Sequence, residues 1–327
     1  MIMRNKHVAL LIICITVIAV FCSFALNGVA RSYPEKPIKM VVPYNPGGGS
    51  DTSARIFAKY AEEFFGQPIV VTNISGAGGA VGGQEVLNSK PDGYTLFWHH
   101  QAMHAGYHTG VADYTWDAFT PICSAAGIEG NCIVVPADAP WDTLEEFINY
   151  IEDHPGELKM AVNIGATTHF IGIAIDVATG GDKLVYVSAG GDSDRITKLL
   201  GGHVDVIPNS INIAKEYIEA GEVKGLAITG RERSDALPNI PTFLEKGYDV
   251  LSVIDYGVFG PAEMSADVVD FISKTFEKMC QDERIIKELN EHGTNVGYRN
   301  QDEFIKLLLA EDVRYYRGAR AAGMIKD

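Results

Sequence analysis

The 327-residue chain carries 42 acidic against 27 basic side chains, a formal charge of −15, and 46% of its residues are apolar. That balance argues against nucleic acid or an anionic lipid surface as the partner, and the length suits one large or two medium α/β lobes with a full core.

Residues 1–30 read as an export segment. Arg4 and Lys6 precede an almost wholly apolar run from Val8 to Leu26, and Gly28 and Ala30 supply the small residues of a cleavage site near Ala30. A cleaved signal peptide and a periplasmic mature protein are expected. The alternative is an uncleaved anchor, since the run approaches the roughly 20 residues that span a bilayer. Phe21 stands where lipidation of Cys22 would want a small residue. Cleavage removes two positive charges and no acid, deepening the formal charge from −15 to −17. Beyond the segment, Cys123 and Cys132 lie in apolar runs and read either as a disulfide or as two buried thiols. Cys280, after the helical "VVDFISKTFEKM", reads as a core filler.

From Ile38 onward strand-like and helix-like runs alternate, the pattern of a mainly parallel sheet covered on both faces. In chain order the runs are "IKMVVPY", helical "DTSARIFAKYAEEFF", "PIVVTN", helical "GGQEVLNS", "YTLFW" and "NCIVVP". They continue with helical "DTLEEFINYIED", "LKMAV", helical "THFIGIAIDVAT", "LVYVS", helical "DRITKLLGG", "VDVIP" and "KGLAIT". Asp142 with Glu145 has capping-box spacing, as does Asn300 with Glu303. Pro136 and Pro140 in "NCIVVPADAPWDTLEEF" stiffen what reads as a passage between lobes. A second change of character falls at "VLSVIDYGVFGPAEM", after which the chain reads as helical to its end. Two crossings give a hinged, two-lobed protein: residues 31–134 and 256–327 form a discontinuous first lobe, and residues 135–255 the second.

Two glycine-rich turns, "NPGGGSDT" (residues 45–52) and "NISGAGGAVGG" (residues 73–83), each follow a strand and precede a helix. Open α/β sheets bind ligands at that end of a strand, where bare backbone and a helix N-terminus offer N–H groups to an anion. The structural alternative is a tight turn with Ser50 or Asp51 as N-cap. "NIGATTHF" and "VYVSAGGDSDR" repeat the pattern in the second half. There Thr167 and Thr168 are hydroxyl donors or caps, Asp192 and Asp194 helix-start residues, and Arg195 a solvated side chain or a clamp.

Neither first-half turn has the lysine of a phosphate loop. The stretch from Gly76 through Gly78 to Gly82 loosely matches a dinucleotide fingerprint, so an NAD-like enzyme is the alternative reading. The acidic residue expected after the next strand is replaced by "LFWHHQ". No GxSxG or HExxH motif is present, so no catalytic residue, metal or cofactor is assigned. His100, His104 and His108 are spaced by four, but Gly106 and Gly110 weaken a helix there and no carboxylate lies between them. A solvated or cleft-lining loop is favoured over a metal site.

"VVPYNPGGGSDTSAR", "GQPIVVTNISGAGGAVGGQEV", "PDGYTLFW", "IGATTHF", "LLGGHVDV" and "LPNIPTFLEKGY" occur in that order. Together they resemble the periplasmic solute-binding proteins of tripartite tricarboxylate transporters, the Bug or TctC-like family, over nearly the whole mature chain. The resemblance implies an α/β, two-lobed type II periplasmic binding protein fold with a hinged interdomain cleft. It implies a monomeric receptor that captures a small organic carboxylate and hands it to a membrane permease. Carried over by motif, the ligand set is Tyr44, Asn45, Gly48, Gly49, Ser50 and Asp51, then Gly76, Ala77 and Gly78. From the second lobe come Gly165, Ala166, Thr167, Thr168 and His169, then Ala189 and Gly190. His99 and His100 are placed near the cleft, to pair with a second carboxylate or stack on a ring. Departures at Asn45, Ala166, "VSAGG" and "WHHQAMH" mark where ligand choice is expected to lie.

Overall fold

The computed structural model describes residues 33–325, so the expected signal segment lies outside the described residues. The chain from Lys36 onward forms one compact unit. It opens with β1 (Ile38–Val42), α1 (Gly49–Phe65), β2 (Ile69–Asn73), α2 (Ala80–Leu87), β3 (Thr95–His99), α3 (Ala102–His108) and β4 (Thr120–Ile128). Then follow β5 (Asn131–Pro136), α4 (Leu144–Asp153), β6 (Lys159–Val162), α5 (Thr167–Ala178) and β7 (Val185–Ser188). After these come α6 (Asp192–Leu200), β8 (Ile207–Ser210), α7 (Ile211–Glu219) and β9 (Val223–Ile228). The last elements are β10 (Ile254–Gly260), α8 (Ala266–Met279), α9 (Glu283–Glu291), β11 (Asn295–Arg299) and α10 (Gln301–Ala321).

One six-stranded sheet has the order β11-β4-β10-β3-β1-β2; β8-β5-β9 and β6-β7 form two smaller sheets, linked by a bridge between Met160 and Val206. Helix α1 buries Ala54, Phe57, Ala61 and Phe65 at helical spacing against the first sheet. Strand β5 alternates: Ile133 and Val135 enter one core with α4 and α5, while Cys132 and Val134 enter another with α6 and α7. That two-sided burial makes "CIVV" a continuous apolar run.

Several expectations need correction. The first sheet is mixed, because β10 pairs antiparallel with β3 and β4, and β11 antiparallel with β4. Strand β4 escaped the pattern because "TPICSAAGI" is built of small residues without alternation, although it is buried almost throughout. The end of the chain is not all helical, since β11 separates α9 from α10. The capping box of α4 is Thr143 with Glu146, one residue on from the expected pair, while Asn300 with Glu303 caps α10 as expected. Cys123 and Cys132 are free thiols on strands that do not pair, and burial pushes the Cys132 thiol up to about 12.

Where β4 runs into β5 and β9 toward β10, two backbones nearly touch. A Cβ on Gly130 would lie 2.5 Å from the Gly230 nitrogen, and Gly130 has a φ of +95°. Buried Thr229 ties the crossing: its Oγ1 accepts the Asn131 N–H at 2.9 Å and donates to the Ser252 carbonyl at 3.0 Å. Beside it the buried Asp255 carboxylate accepts from Gln101 Nε2 and Arg299 Nη1, both at 2.8 Å, and lies 3.4 Å from Arg231 Nη2. A second contact between the two parts of the chain is Phe170 of α5 on Tyr315 of α10, ring centroids 4.8 Å apart. Gly318 leaves room for it, since a Cβ there would meet Phe170 Cδ1 at 3.3 Å.

The crossing predicts a contrast between two glycines. Gly130→Ala combines left-handed backbone with a backbone clash and should lower stability in urea unfolding by at least about 2 kcal/mol. Gly156→Ala, at φ +80° with nothing within 4 Å, should cost only about 1 kcal/mol. Equal losses would contradict the close crossing.

Candidate functional site

Parallel pairing sets the site's geometry. Val42 of β1 is level with Asn73 of β2, and β3 flanks β1 on its other side, so the loops leaving these strands share one sheet edge. Val162 of β6 is likewise level with Ser188 of β7, so the two second-half loops leave side by side. Asn45, Gly48 and Gly49 are exposed in the first loop and Gly76, Ala77 and Gly78 in the second.

The four helices that start from these loops share one local feature. The N-cap residues of α1, α2, α5 and α6 are Gly48, Gly79, Ala166 and Gly191, none of which has a side chain able to cap. Of the other described α-helices, three are capped by the side chains of Thr143, Asp282 and Asn300, while Gln101, Ser210 and Ser265 are polar N-cap residues that make no such bond. An uncapped first turn leaves backbone N–H donors and a partial positive charge facing outward. Among the described residues no hydrogen-bond acceptor is found for the Gly49, Ser50, Ala77 or Gly78 N–H.

Other predicted donors are already occupied. The Gly165 N–H donates to His169 Nδ1 at 3.2 Å, the Ala166 N–H to the Asn163 carbonyl at 3.0 Å, and the Ala189 N–H to the Val162 carbonyl at 2.8 Å. The Gly190 N–H donates to Asp194 Oδ2 at 2.7 Å. Thr168 Oγ1 accepts the Asn163 N–H at 2.9 Å, so its hydroxyl shapes the loop. Thr167 is half-buried at the first position of α5.

Asp51 is a brace. Its carboxylate is buried and accepts the Gly47 N–H at 2.9 Å, Arg55 Nε at 2.9 Å and Asn73 Nδ2 at 2.8 Å, while Asn73 Nδ2 also reaches the Tyr44 carbonyl at 3.0 Å. One carboxylate thus binds both first-half loops and the start of α1. Burial opposes its ionisation, but the bonds from Arg55, Gly47 and Asn73 outweigh it and hold the carboxyl below its ordinary value. Arg195, in the first turn of α6, ties the loop after β7 to β8. It is buried, not solvated: Nε donates to the Pro208 carbonyl and Nη1 to the Gly190 carbonyl, at 2.8 and 2.7 Å, and Nη2 pairs with Asp192.

Tyr44, His99, His100 and Tyr256 form a floor under the first-half loops. Tyr44 stacks on His100 at 5.3 Å, and His100 meets Tyr256 edge-on at 5.6 Å. A Cβ on Gly49 would lie 3.0 Å from the Tyr256 hydroxyl, and one on Gly79 would lie 3.3 Å from the His99 ring. Burial lowers the His100 pKa to about 4 and pushes His99 well below its usual range, so both rings are neutral near pH 7. Burial also lowers His169, whose ring meets Tyr186 edge-on at 4.8 Å. Arg55, Arg195 and Arg299 are committed to Asp51, Asp192 and Asp255. Neutral donors therefore dominate the loop edge.

The other two histidines of that run are used elsewhere. The stretch after His100 is a helix, α3, and His104 Nδ1 and His108 Nε2 both meet Asp312 Oδ1, at 3.2 and 2.9 Å. Among the described residues no group of three or more His, Cys, Asp or Glu is arranged to hold a metal ion. Gly82 in the loose fingerprint has a packing role, since a Cβ there would lie 2.7 Å from the Ile74 carbonyl.

Residues 53–320 match the model of the tripartite tricarboxylate transporter family receptor. The chain belongs to this family. A solute-binding protein of the family from Polaromonas, solved without ligand, is 26% identical to this receptor with a TM-score of 0.78, covering 88% of this chain and 99% of that one. A protein of R. palustris solved with adipate is 26% identical with a TM-score of 0.75, covering 89% and 98%. The malate-bound MatC of Rhodopseudomonas palustris is 25% identical with a TM-score of 0.72, covering 88% and 99%. The receptor thus has the two-lobed fold of periplasmic solute-binding proteins, a family of receptors and not of enzymes. No described helix is long and apolar enough to cross a membrane.

Sequence reasoning missed Asn73, Tyr256 and Asp255, and of the two readings of Arg195 the clamp holds. Tyr256 and Asp255 reach the site edge only because the second crossing returns β10 beside β3, and no local pattern marks them.

The brace predicts a pH signature. A depressed Asp51 pKa contributes stability that is present above its ordinary value of 3.8 and lost as pH falls through the folded value. Asp51→Asn should therefore melt below wild type at pH 7, by about 1 kcal/mol, with the gap closing as pH falls below about 4. A gap independent of pH would show that the charge on Asp51 has no part in it.

Proposed function

We propose that this receptor captures a small organic carboxylate between its two lobes and delivers it to a membrane permease of the tripartite tricarboxylate type. The observation that carries the reading is the set of four loop-borne helix starts without capping side chains, on paired strand ends in each half. A carboxylate supplies the acceptors that the Gly49, Ser50, Ala77 and Gly78 N–H groups lack, and several amide bonds hold it reversibly without a full counter-charge. The adipate and malate found in two relatives fit the same chemistry.

The first-half donors are the amides of Gly48, Gly49, Ser50, Gly76, Ala77 and Gly78, with Tyr44, Asn45, His99 and His100 around the rest of the ligand. Asp51 fixes the loop rather than touching ligand. Across the cleft, Gly165, Ala166, Thr167, Thr168, His169, Ala189 and Gly190 form the closing side, with the Thr167 hydroxyl its most available side-chain donor. The lobes take residues 31–134 with 256–327, and residues 135–255. The crossings by Gly130 and Thr229 serve as the hinge. Residues 1–30 export the chain, and the mature monomer works in the periplasm without a cofactor.

In a thermal-shift panel of mono-, di- and tricarboxylates, aromatic acids and acidic amino acids, at least one should raise Tm. Gly49→Val, which brings side-chain bulk against Tyr256 and Ile128 and so displaces the loop, should weaken that ligand at least about a hundredfold while the circular dichroism spectrum is kept. A flat panel, or wild-type affinity in Gly49→Val, would count against the reading. Because His99 and His100 are neutral, affinity should be flat from pH 6 to 8. A steep loss across that range would mean that a histidine cation holds the carboxylate.

A further inference from the structure

We propose a second ligand site, separate from the strand-end loops, in the cavity between α5 and α10, and assign to it an amphipathic monocarboxylate such as a medium-chain fatty acid. The cavity measures about 320 Å³, within the range of small-molecule sites. Its apolar wall is Phe170, Ala174 and Val177 on one face of α5 and Val313 with Tyr315 on α10. Val177 and Val313 are 54% and 48% exposed, so two aliphatic side chains from different sheets' helices stand in water at one mouth. Leu309 and Tyr316, also exposed, extend this stripe along α10 at helical spacing.

The polar lining has a definite sign. Arg314 and Arg317 face the cavity against a single carboxylate, Asp249, in a chain whose formal charge is −15. Arg314 is partly engaged: Nη1 donates to the Leu251 carbonyl at 3.3 Å, and Nε lies 3.8 Å from buried Glu311. Arg317 has no hydrogen bond or ion pair among the described residues and is exposed. An apolar wall ending at a free guanidinium fits a hydrocarbon chain ending in a carboxylate. The strand-end loops offer the opposite arrangement, amides for the anion and committed arginines.

The walls come from both parts of the molecule. Helix α5 packs Ile171 and Ile175 into the core around β5, and α10 packs Phe304 and Leu308 into the core of the first sheet. A ligand touching both helices binds best when Phe170 rests on Tyr315, so its occupancy favours that arrangement.

The test is calorimetric titration of octanoate into wild type, Gly49→Val, Arg317→Glu and Ala310→Trp, with octanol as the uncharged comparison. Octanoate should bind wild type and Gly49→Val with equal affinity. It should weaken at least about tenfold in Arg317→Glu and vanish in Ala310→Trp, which fills the cavity. Octanol should bind more weakly than octanoate. No octanoate heat with wild type, loss in Gly49→Val with retention in Ala310→Trp, or octanol binding as tightly as octanoate would each overturn the proposal. The result is independent of the organic-acid panel, so failure at the strand-end loops and failure here are told apart.

Discussion

When consecutive strands lie parallel and adjacent with a helix between them, their carboxyl ends and the loops that leave them share one edge of the sheet. Here β1 with β2, and β6 with β7, are held that way in register. Four flexible loops are thereby brought into two pairs before any side chain acts. Loops this rich in glycine need fixing: Asp51 ties the two first-half loops together through the Gly47 N–H and the Asn73 side chain, and Arg195 ties the loop after β7 to β8 through the Gly190 and Pro208 carbonyls.

Two kinds of polar residue at the strand ends are thus separated by their bonding. Asp51, Thr168, Arg195 and Asp194 spend their polar atoms on the protein and set loop shape. The Gly49, Ser50, Ala77 and Gly78 amides have no such partner among the described residues, and on the proposed reading they serve the ligand. A site of neutral donors suits a receptor that must release what it binds, because a buried counter-charge would be left unpaired in the empty state. On the proposed reading it also leaves ligand choice to the surroundings, where Tyr44, His99 and His100 lie as neutral rings rather than cations.

Much of this was legible in the sequence, for a physical reason: glycine runs between an apolar strand and an amphipathic helix mark exposed backbone directly. The same reading could not assign Asp51, since its partner Asn73 lies 22 residues away and becomes a neighbour only through β1–β2 pairing. Arg195 was left between solvated and clamp because, beside Asp192, its acceptors are the Pro208 and Gly190 carbonyls, which leave no trace in a residue pattern. Strand β4 was invisible because small residues fill the position between β10 and β11 without alternation. The histidine run was half legible: its spacing by four was real on α3, but the carboxylate it serves comes from Asp312, over 200 residues on.

The central claim is that bare amides, not charged side chains, hold the ligand's carboxylate. Amide proton and nitrogen shifts of the labelled receptor, titrated with a carboxylate that raises its Tm, test this most directly. The account predicts the largest downfield shifts at Gly49, Ser50, Ala77 and Gly78, with Gly47 and Gly190, already bonded to Asp51 and Asp194, changing little. Unmoved signals at those four amides, with the response centred on arginine or histidine side chains, would contradict it.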